Sequence, residues 1–295
     1  MECVMPTMIG EAMQRKVIVI TGATSGIGQV AAERLAGMGA RLVLVARSEV
    51  RGRAVLARLR ERAPGVLHSI HYADLSRLVE IKRAATEIAA AERRIDVLIN
   101  NAGALFASRR VTEDGLERTF ATNHMAYVVL THGLRERLIA SAPARVVNTA
   151  SNAHKGARLD FDDLQSAHGY RGFKVYRRSK LCNILYTREL ARRWAGTGVT
   201  VNCLHPGFVA TSFAGQSGGL FSHIVRMAKT FAISPEKGAE TIVYLASSPE
   251  VAHVSGRYFY KCRPITPSKE ALDDATAERL WLESTRLGSL GISDE

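Results

Sequence analysis

The sequence predicts an α/β fold, a doubly wound parallel sheet with helices on both faces. Apolar, β-branched runs alternate with segments of helical spacing along most of the chain. A glycine-rich turn joins the first run directly to the first helix. The length of 295 residues, with 46% hydrophobic and 23% charged content, fits one large domain better than two small ones.

The elements follow in order. Residues 16–21 read as a strand and 26–39 as a helix ending in glycine; 41–46 repeats the strand signal, and 49–63 has helical spacing and stops before Pro64. Further short strands are expected at 67–72, 96–99, 145–149 and 199–204, with helices at 78–93, 114–139 and 175–194 between or after them. A last helical pattern at 269–287 is expected to lie outside the sheet. Residues 1–15 mix polar and apolar positions without a charged start and a continuous apolar stretch. They read as a short flexible leader, not a secretory signal, ahead of a single domain over 16–295. Two segments break the rhythm: 152–174, polar and rich in Gly, Asp and His, and 208–233, small residues followed by an apolar helical pattern. The first reads as an insertion and the second as a substrate lid, although a core helix or a subunit contact would show the same apolar pattern.

Composition excludes some classes. No apolar run reaches the roughly 18 residues that a membrane span needs. Cys3, Cys182, Cys203 and Cys262 are widely spaced, with Cys182 and Cys203 in apolar stretches, which suits reduced thiols and a cytoplasmic setting. The net charge of +12 is carried by basic residues scattered along helices, so no nucleic-acid partner is expected. His68, His71, His154, His168 and His205 share no ligand spacing, and no metal is expected; His154 and His168 in the insertion read as solvated loop histidines, with substrate contact as the alternative.

The turn after the first strand is Thr21-Gly22-Ala23-Thr24-Ser25-Gly26-Ile27-Gly28. Glycines there let the backbone approach a pyrophosphate, whose charge the helix N-terminus stabilises; a plain glycine-rich turn would read the same, but the strand before and helix after it favour a Rossmann-type dinucleotide site. The second strand is followed by Arg47 and Ser48, where an NAD site places an acid for the ribose hydroxyls. A guanidinium there suits a 2′-phosphate, so NADP(H) is the expected cofactor.

Tyr176 and Lys180 are four apart on an expected helix and share a face. A nearby lysine cation and an oxidised nicotinamide would both favour the phenolate and lower its pKa from about 10. Alone, such a pair is an ordinary helix surface. Its company is Thr21–Gly28, Asn100-Asn101-Ala102-Gly103, Asn123, Ser151 and Pro206-Gly207 followed by Thr211, in that order. With these the chain resembles the short-chain dehydrogenase/reductase family over residues 16–263.

That resemblance implies roles. Ser151 would hydrogen-bond the substrate oxygen beside Tyr176, Lys180 would bind the nicotinamide ribose, and Asn123 would hold a water in a proton relay. Gly22, Thr24, Ser25, Gly26, Ile27 and Gly28 would cradle the phosphates. Asn101, Ala102 and Gly103 would pack beneath the adenosine side, with Asp74 and Leu75 near the adenine; Asp74 and Asn123 could equally be caps. Pro206, Gly207, Val209 and Thr211 would position the carboxamide. The wide separation of Ser151 and Tyr176, with Ala153-His154-Lys155-Gly156, Thr187-Arg188-Glu189-Leu190 and Tyr258-Phe259-Tyr260-Lys261-Cys262, resembles the retinol dehydrogenase-like branch. That branch is related to light-dependent protochlorophyllide reductase and the WW-domain oxidoreductases. The sequence shows neither the membrane-anchoring N-terminus nor the WW module of such relatives, so retinoid specificity is not carried over. The expected reaction is hydride transfer between NADP(H) and a bulky, lipophilic carbonyl or alcohol. A non-catalytic NADP(H)-binding regulator and a reductase of a ring double bond remain alternatives, and a homo-oligomer is left open.

Overall fold

The structure is a computed structural model and describes residues 13–207 and 233–291. Eight strands form one sheet in the order β3-β2-β1-β4-β5-β6-β7-β8. They are β1 Val17–Thr21, β2 Arg41–Ala46, β3 Ser69–Tyr72, β4 Val97–Asn100, β5 Ala144–Thr149, β6 Val199–Leu204, β7 Tyr258–Tyr260 and β8 Arg263–Ile265. All neighbours pair parallel except β7 and β8, an antiparallel hairpin at the edge.

The helices are α1 Gly26–Gly37, α2 Glu49–Arg62, α3 Leu78–Ala91, α4 Ala126–Gly133, α5 Arg135–Ala140, α6 Gly172–Arg193, α7 Pro235–Ser247 and α8 Asp274–Leu287. Strand side chains alternate between two cores. Ile18, Ile20, Leu42 and Leu44 face α1, α2 and α7 through Leu35, Leu59 and Ile242. Val19, Val43, Val45 and Leu98 face the other layer through Ile81, Tyr127, Leu185 and Leu280. The strand order reverses at β1 and β4, whose carboxyl ends open the crevice where such folds bind ligands.

Several boundaries differ from the expectation. The stretch 114–139 is not one helix: a helical turn at Arg118–Phe120 runs into a π-helical turn, Ala121–Met125, then α4, and the axis breaks at Leu134 before α5. The first helix ends at Gly37 and β3 begins at Ser69. The insertion gives its last three residues to α6, which starts at Gly172. In the stretch 269–287, Lys269–Leu272 is a 3₁₀ turn and the helix begins at Asp274, whose cap Asp273 accepts the Thr276 N–H at 2.9 Å. Helix α7 and strands β7 and β8 were not expected.

Helix α8 covers α6. Trp281 stacks on Tyr186 at 5.7 Å, and Ser284 Oγ lies 2.8 Å from His124 Nε2 in the π-helical turn. Cys182 and Cys203 are buried free thiols, and burial pushes both up in pKa, Cys203 to about 12. Residues 1–12 of the expected leader and 208–232 of the expected lid lie outside the described residues. Among the described residues, no helix is long and apolar enough to cross a membrane.

Candidate active site

The glycine turn packs against the end of β4. A Cβ built on Gly28 would lie 2.3 Å from both Gly22 O and Asn101 Nδ2, and one on Gly22 would lie 2.7 Å from Ala102 Cα. Only glycine fits either position. Thr21 Oγ1 accepts the backbone N–H groups of Asn101 and Ala102, each at 3.0 Å, and Asn101 Nδ2 donates back to Thr21 O and Gly22 O. Asn101 therefore clamps the turn through its side chain. At the start of α1, Ser25 makes no side-chain cap and the first turn carries no acid. Uncapped N–H groups and a positive dipole end suit a pyrophosphate, so Gly22, Thr24, Ser25, Gly26, Ile27 and Gly28 fit a dinucleotide.

At the end of β2, Arg47 is exposed. Ser48 Oγ caps α2 by accepting the Arg51 N–H at 3.4 Å. Asp74 caps a turn as well, because its Oδ1 accepts from Ser76 N–H at 2.9 Å and Ser76 Oγ at 2.8 Å. Burial works to raise the Asp74 carboxyl, but these bonds, with Arg47 and Arg118 nearby, hold it below the usual value. Leu75 packs partly against the core. Pro206 and Gly207 follow β6, with the Gly207 N–H donating to His205 Nδ1 at 3.2 Å; Val209 and Thr211 lie outside the described residues.

Ser151 follows β5 in extended backbone, and its Oγ accepts the Ala153 N–H at 3.1 Å. Tyr176 and Lys180 project from the first turns of α6. The Ser151 side chain works to lower the Tyr176 pKa, and Lys180 Nζ lies 5.7 Å from the Tyr176 ring centre. Lys180 is buried and donates to Thr149 O at 2.9 Å. Asn123 sits in the π-helical turn, a distortion that recurs at functional sites. Its Oδ1 accepts from Ala104 N–H at 2.7 Å, and its Nδ2 donates to Ala104 O and to Ser179 Oγ, each at 2.9 Å. Ser179 Oγ donates in turn to Tyr176 O at 2.8 Å. Asn123 thus braces the loop after β4 against the turn that carries Tyr176. A Cβ on Gly103 would lie 3.4 Å from both Asn123 Oδ1 and Lys180 Nζ, so Gly103 separates the two.

Among the protein's own groups, burial outweighs the lowering expected at the tyrosine. Burial pushes the Tyr176 phenol up to about 12, against the Ser151 hydrogen bond, and brings Lys180 down to about 7. Desolvation disfavours the charged form of each, and a lysine driven toward neutrality is a weak source of field for its neighbour. The result is a protonated phenol poised beside a serine hydroxyl. A second correction concerns His154, expected to be a solvated loop residue. It is fully buried, whereas His168 is exposed. Sequence reasoning also missed Tyr127, Thr149 and Ser179, and gave Thr21 no role beyond opening the glycine turn. The Tyr127 hydroxyl donates to Ala102 O at 2.9 Å, beneath the same loop.

A family model for the short chain dehydrogenase matches residues 16–218. The chain belongs to the short-chain dehydrogenase family. Human retinol dehydrogenase 14 is 40% identical over 290 residues, covering 91% of this chain and 85% of that one. Human retinol dehydrogenase 12 is 40% identical over 278 residues, covering 94% and 87%. The crystal structure of an uncharacterised protein from Mycobacterium paratuberculosis superimposes with a TM-score of 0.77 at 30% identity, over 95% of each chain. An NAD(P)-dependent gluconate 5-dehydrogenase from Beutenbergia cavernae, solved with NADP, gives 0.69 at 29% identity, over 85% of this chain and 97% of that one. This short-chain dehydrogenase lies in the retinol dehydrogenase-like branch and is an NAD(P)-dependent oxidoreductase acting on a small molecule.

Proposed function

We propose that the protein is an NADP(H)-dependent reductase of lipophilic aldehydes or ketones that also runs in reverse on the corresponding alcohols. The observation that carries this reading is the Tyr176 phenol, held protonated by burial against the opposing influence of Ser151, with Lys180 one turn along α6. A bound nicotinamide supplies or accepts the hydride. Tyr176 gives its proton to the carbonyl oxygen in reduction and takes one from the alcohol in oxidation. Ser151 Oγ, its lone pair engaged by the Ala153 N–H, keeps its own proton to donate to the same oxygen. Asn123 braces, through Ser179, the helical turn that carries the phenol, and Lys180 adds positive charge near the ring when protonated.

The absence of an acid after β2 and the exposed Arg47 support NADP(H). Support for a lipophilic substrate comes from Phe173, which is 48% exposed and stacks on Tyr176 at 6.4 Å. An apolar ring beside the proton donor suits an apolar chain or ring of a substrate. The curated relatives bear the name retinol dehydrogenase, which makes retinal a rational first member of a test panel.

The test is consumption of NADPH and NADH by the purified protein against aldehydes and ketones, from short aliphatics to retinal and polycyclic ketones. Turnover rising with substrate bulk, and faster with NADPH, is expected. Faster turnover with NADH overturns the cofactor assignment. NADPH binding with no turnover of any carbonyl or alcohol favours a binding regulator instead.

A further inference from the structure

His154 lies three residues after Ser151, in the 3₁₀ turn Asn152–His154, and its side chain is completely buried. Its Nδ1 is 2.7 Å from Ser151 O, and its Nε2 is 3.0 Å from Ser268 N. A carbonyl oxygen can only accept and a backbone N–H can only donate. One arrangement of protons satisfies both: Nδ1 carries the hydrogen and Nε2 offers its lone pair. Burial also lowers the pKa of the ring, in keeping with a neutral imidazole. The edge of Tyr258 meets the ring at 5.2 Å and 80°, so its plane is fixed as well as its ends.

Ser151 is therefore held from both sides. Its Oγ accepts from Ala153 N–H and works to lower the Tyr176 pKa, while its carbonyl is tied through the imidazole to the segment that follows β8. We propose that His154 is a positioning residue for catalysis: its imidazole bridges Ser151 O to the Ser268 N–H and so fixes where the Ser151 hydroxyl stands relative to Tyr176. It acts through Ser151 and touches no reacting atom. The proposal rests on the reductase reading given above. Its physical basis is that catalytic groups must be held to within about half an ångström, and a serine on a loop has no helix or strand of its own to hold it.

The test is a cycle of variants of the full-length chain. His154→Leu is expected to lower kcat about 10-fold or more while the Kd of NADPH, read by fluorescence, moves less than about 3-fold. His154→Asn keeps an N–H donor near the Nδ1 position and is expected to recover part of the loss. In a Ser151→Ala background, His154→Leu is expected to cause no further loss. Losses that multiply in the double variant, or a loss of NADPH affinity matching the loss of kcat, overturn the proposal in favour of a packing role. Should His154→Leu fail to fold, Ser268→Pro serves in its place. Ser268 has φ −67°, which proline adopts, so the change removes the N–H that Nε2 accepts and leaves the ring in place. A several-fold fall in kcat at unchanged NADPH affinity is expected, and unchanged kcat overturns the proposal.

Nitrogen-15 spectra of the labelled histidines give a reading independent of turnover. The Nδ1–H tautomer is expected for His154 at neutral pH, and an Nε2–H tautomer or an imidazolium overturns the proposal. Wild-type protein that turns over no substrate overturns the reductase reading. Active wild type with an additive cycle overturns the role of His154 alone.

Discussion

Lys180 places its Nζ 5.7 Å from the centre of the Tyr176 ring, and burial drives their pKa values in opposite senses, the phenol to about 12 and the ammonium to about 7. The phenol is thus an acid in waiting, not a ready base. Tyr176→Phe removes the proton and keeps the ring against Phe173. Its expected effect is a fall in kcat for carbonyl reduction of roughly 100-fold or more, with NADPH affinity unchanged within about 3-fold. Alcohol oxidation by the wild type requires the deprotonated phenol, so its rate should rise with pH above neutrality. Steady-state rates in both directions from pH 6 to 10 check both statements.

Burying Lys180 costs stability. A lysine with a folded pKa of about 7 and an ordinary value of 10.5 binds fewer protons folded than unfolded between those limits. Wild-type stability therefore rises with pH across that window, and the full penalty is present below it. Lys180→Met relieves it without orphaning Thr149 O, which also accepts from Asn183 Nδ2 at 3.2 Å and Tyr127 Oη at 3.4 Å. The variant should be inactive yet more stable at pH 7, by on the order of 2–3 kcal/mol, a trade of stability against function. Thermal unfolding at pH 7 and pH 10 checks it, with the gain shrinking at the higher pH.

Arg47 stands exposed after β2, with no acid at that position. If it clasps the 2′-phosphate, Arg47→Ala should weaken NADPH binding about 10-fold or more and leave NADH binding nearly unchanged. Titration of both cofactors by fluorescence decides it, and an unchanged ratio of affinities removes Arg47 from the cofactor site.

What the sequence made legible was local. The strands of the sheet centre read as apolar β-branched runs, and the glycine turn and the Tyr176–Lys180 spacing are properties of a few adjacent residues. Helix α7 also carries a local signal, a Ser234 cap whose Oγ accepts the Lys237 N–H, with Pro235 in the first turn. Strands β7 and β8 have three residues each, too few to show a period. His154 was misjudged because the amide that receives it is 114 positions away, a partner that no spacing rule reaches. The break at Leu134 has no proline to announce it, and it follows Gly133, where a Cβ would lie 2.6 Å from Ala85 Cβ.

His124 has the same long-range character, with Ser284 lying 160 positions along the chain. Burial brings its pKa down to about 3, and that of His205 to about 4, from 6.5. Both rings are neutral when folded and take up protons when unfolded below about pH 6.5. Stability should therefore fall as pH drops from 7 to 5, by up to about 1.4 kcal/mol per pH unit for each ring. Urea unfolding at pH 7, 6 and 5 checks this before most carboxylates titrate, and an unchanged midpoint would show that these rings are not buried neutral.

Two glycines of α1 should respond in opposite ways to the same substitution. A Cβ at Gly28 meets Gly22 O and Asn101 Nδ2 at 2.3 Å, so Gly28→Ala must push apart the turn and the Asn101 clamp together. The expected cost is about 1–3 kcal/mol, with cofactor affinity lost beyond what the stability change explains, because the same backbone lines the expected phosphate site. Gly37 lies exposed in the last turn of α1, with nothing within 4 Å of a built Cβ and no positive φ. Gly37→Ala should stabilise the protein by about 0.5–1 kcal/mol, mainly by restricting the unfolded chain, and leave NADPH binding unchanged. Measured side by side by thermal unfolding and NADPH titration, the pair separates the close approach of backbone at Gly28 from the general cost of glycine in a helix. Equal responses would mean that the turn yields and that the contact with Asn101 does not define the cofactor cradle.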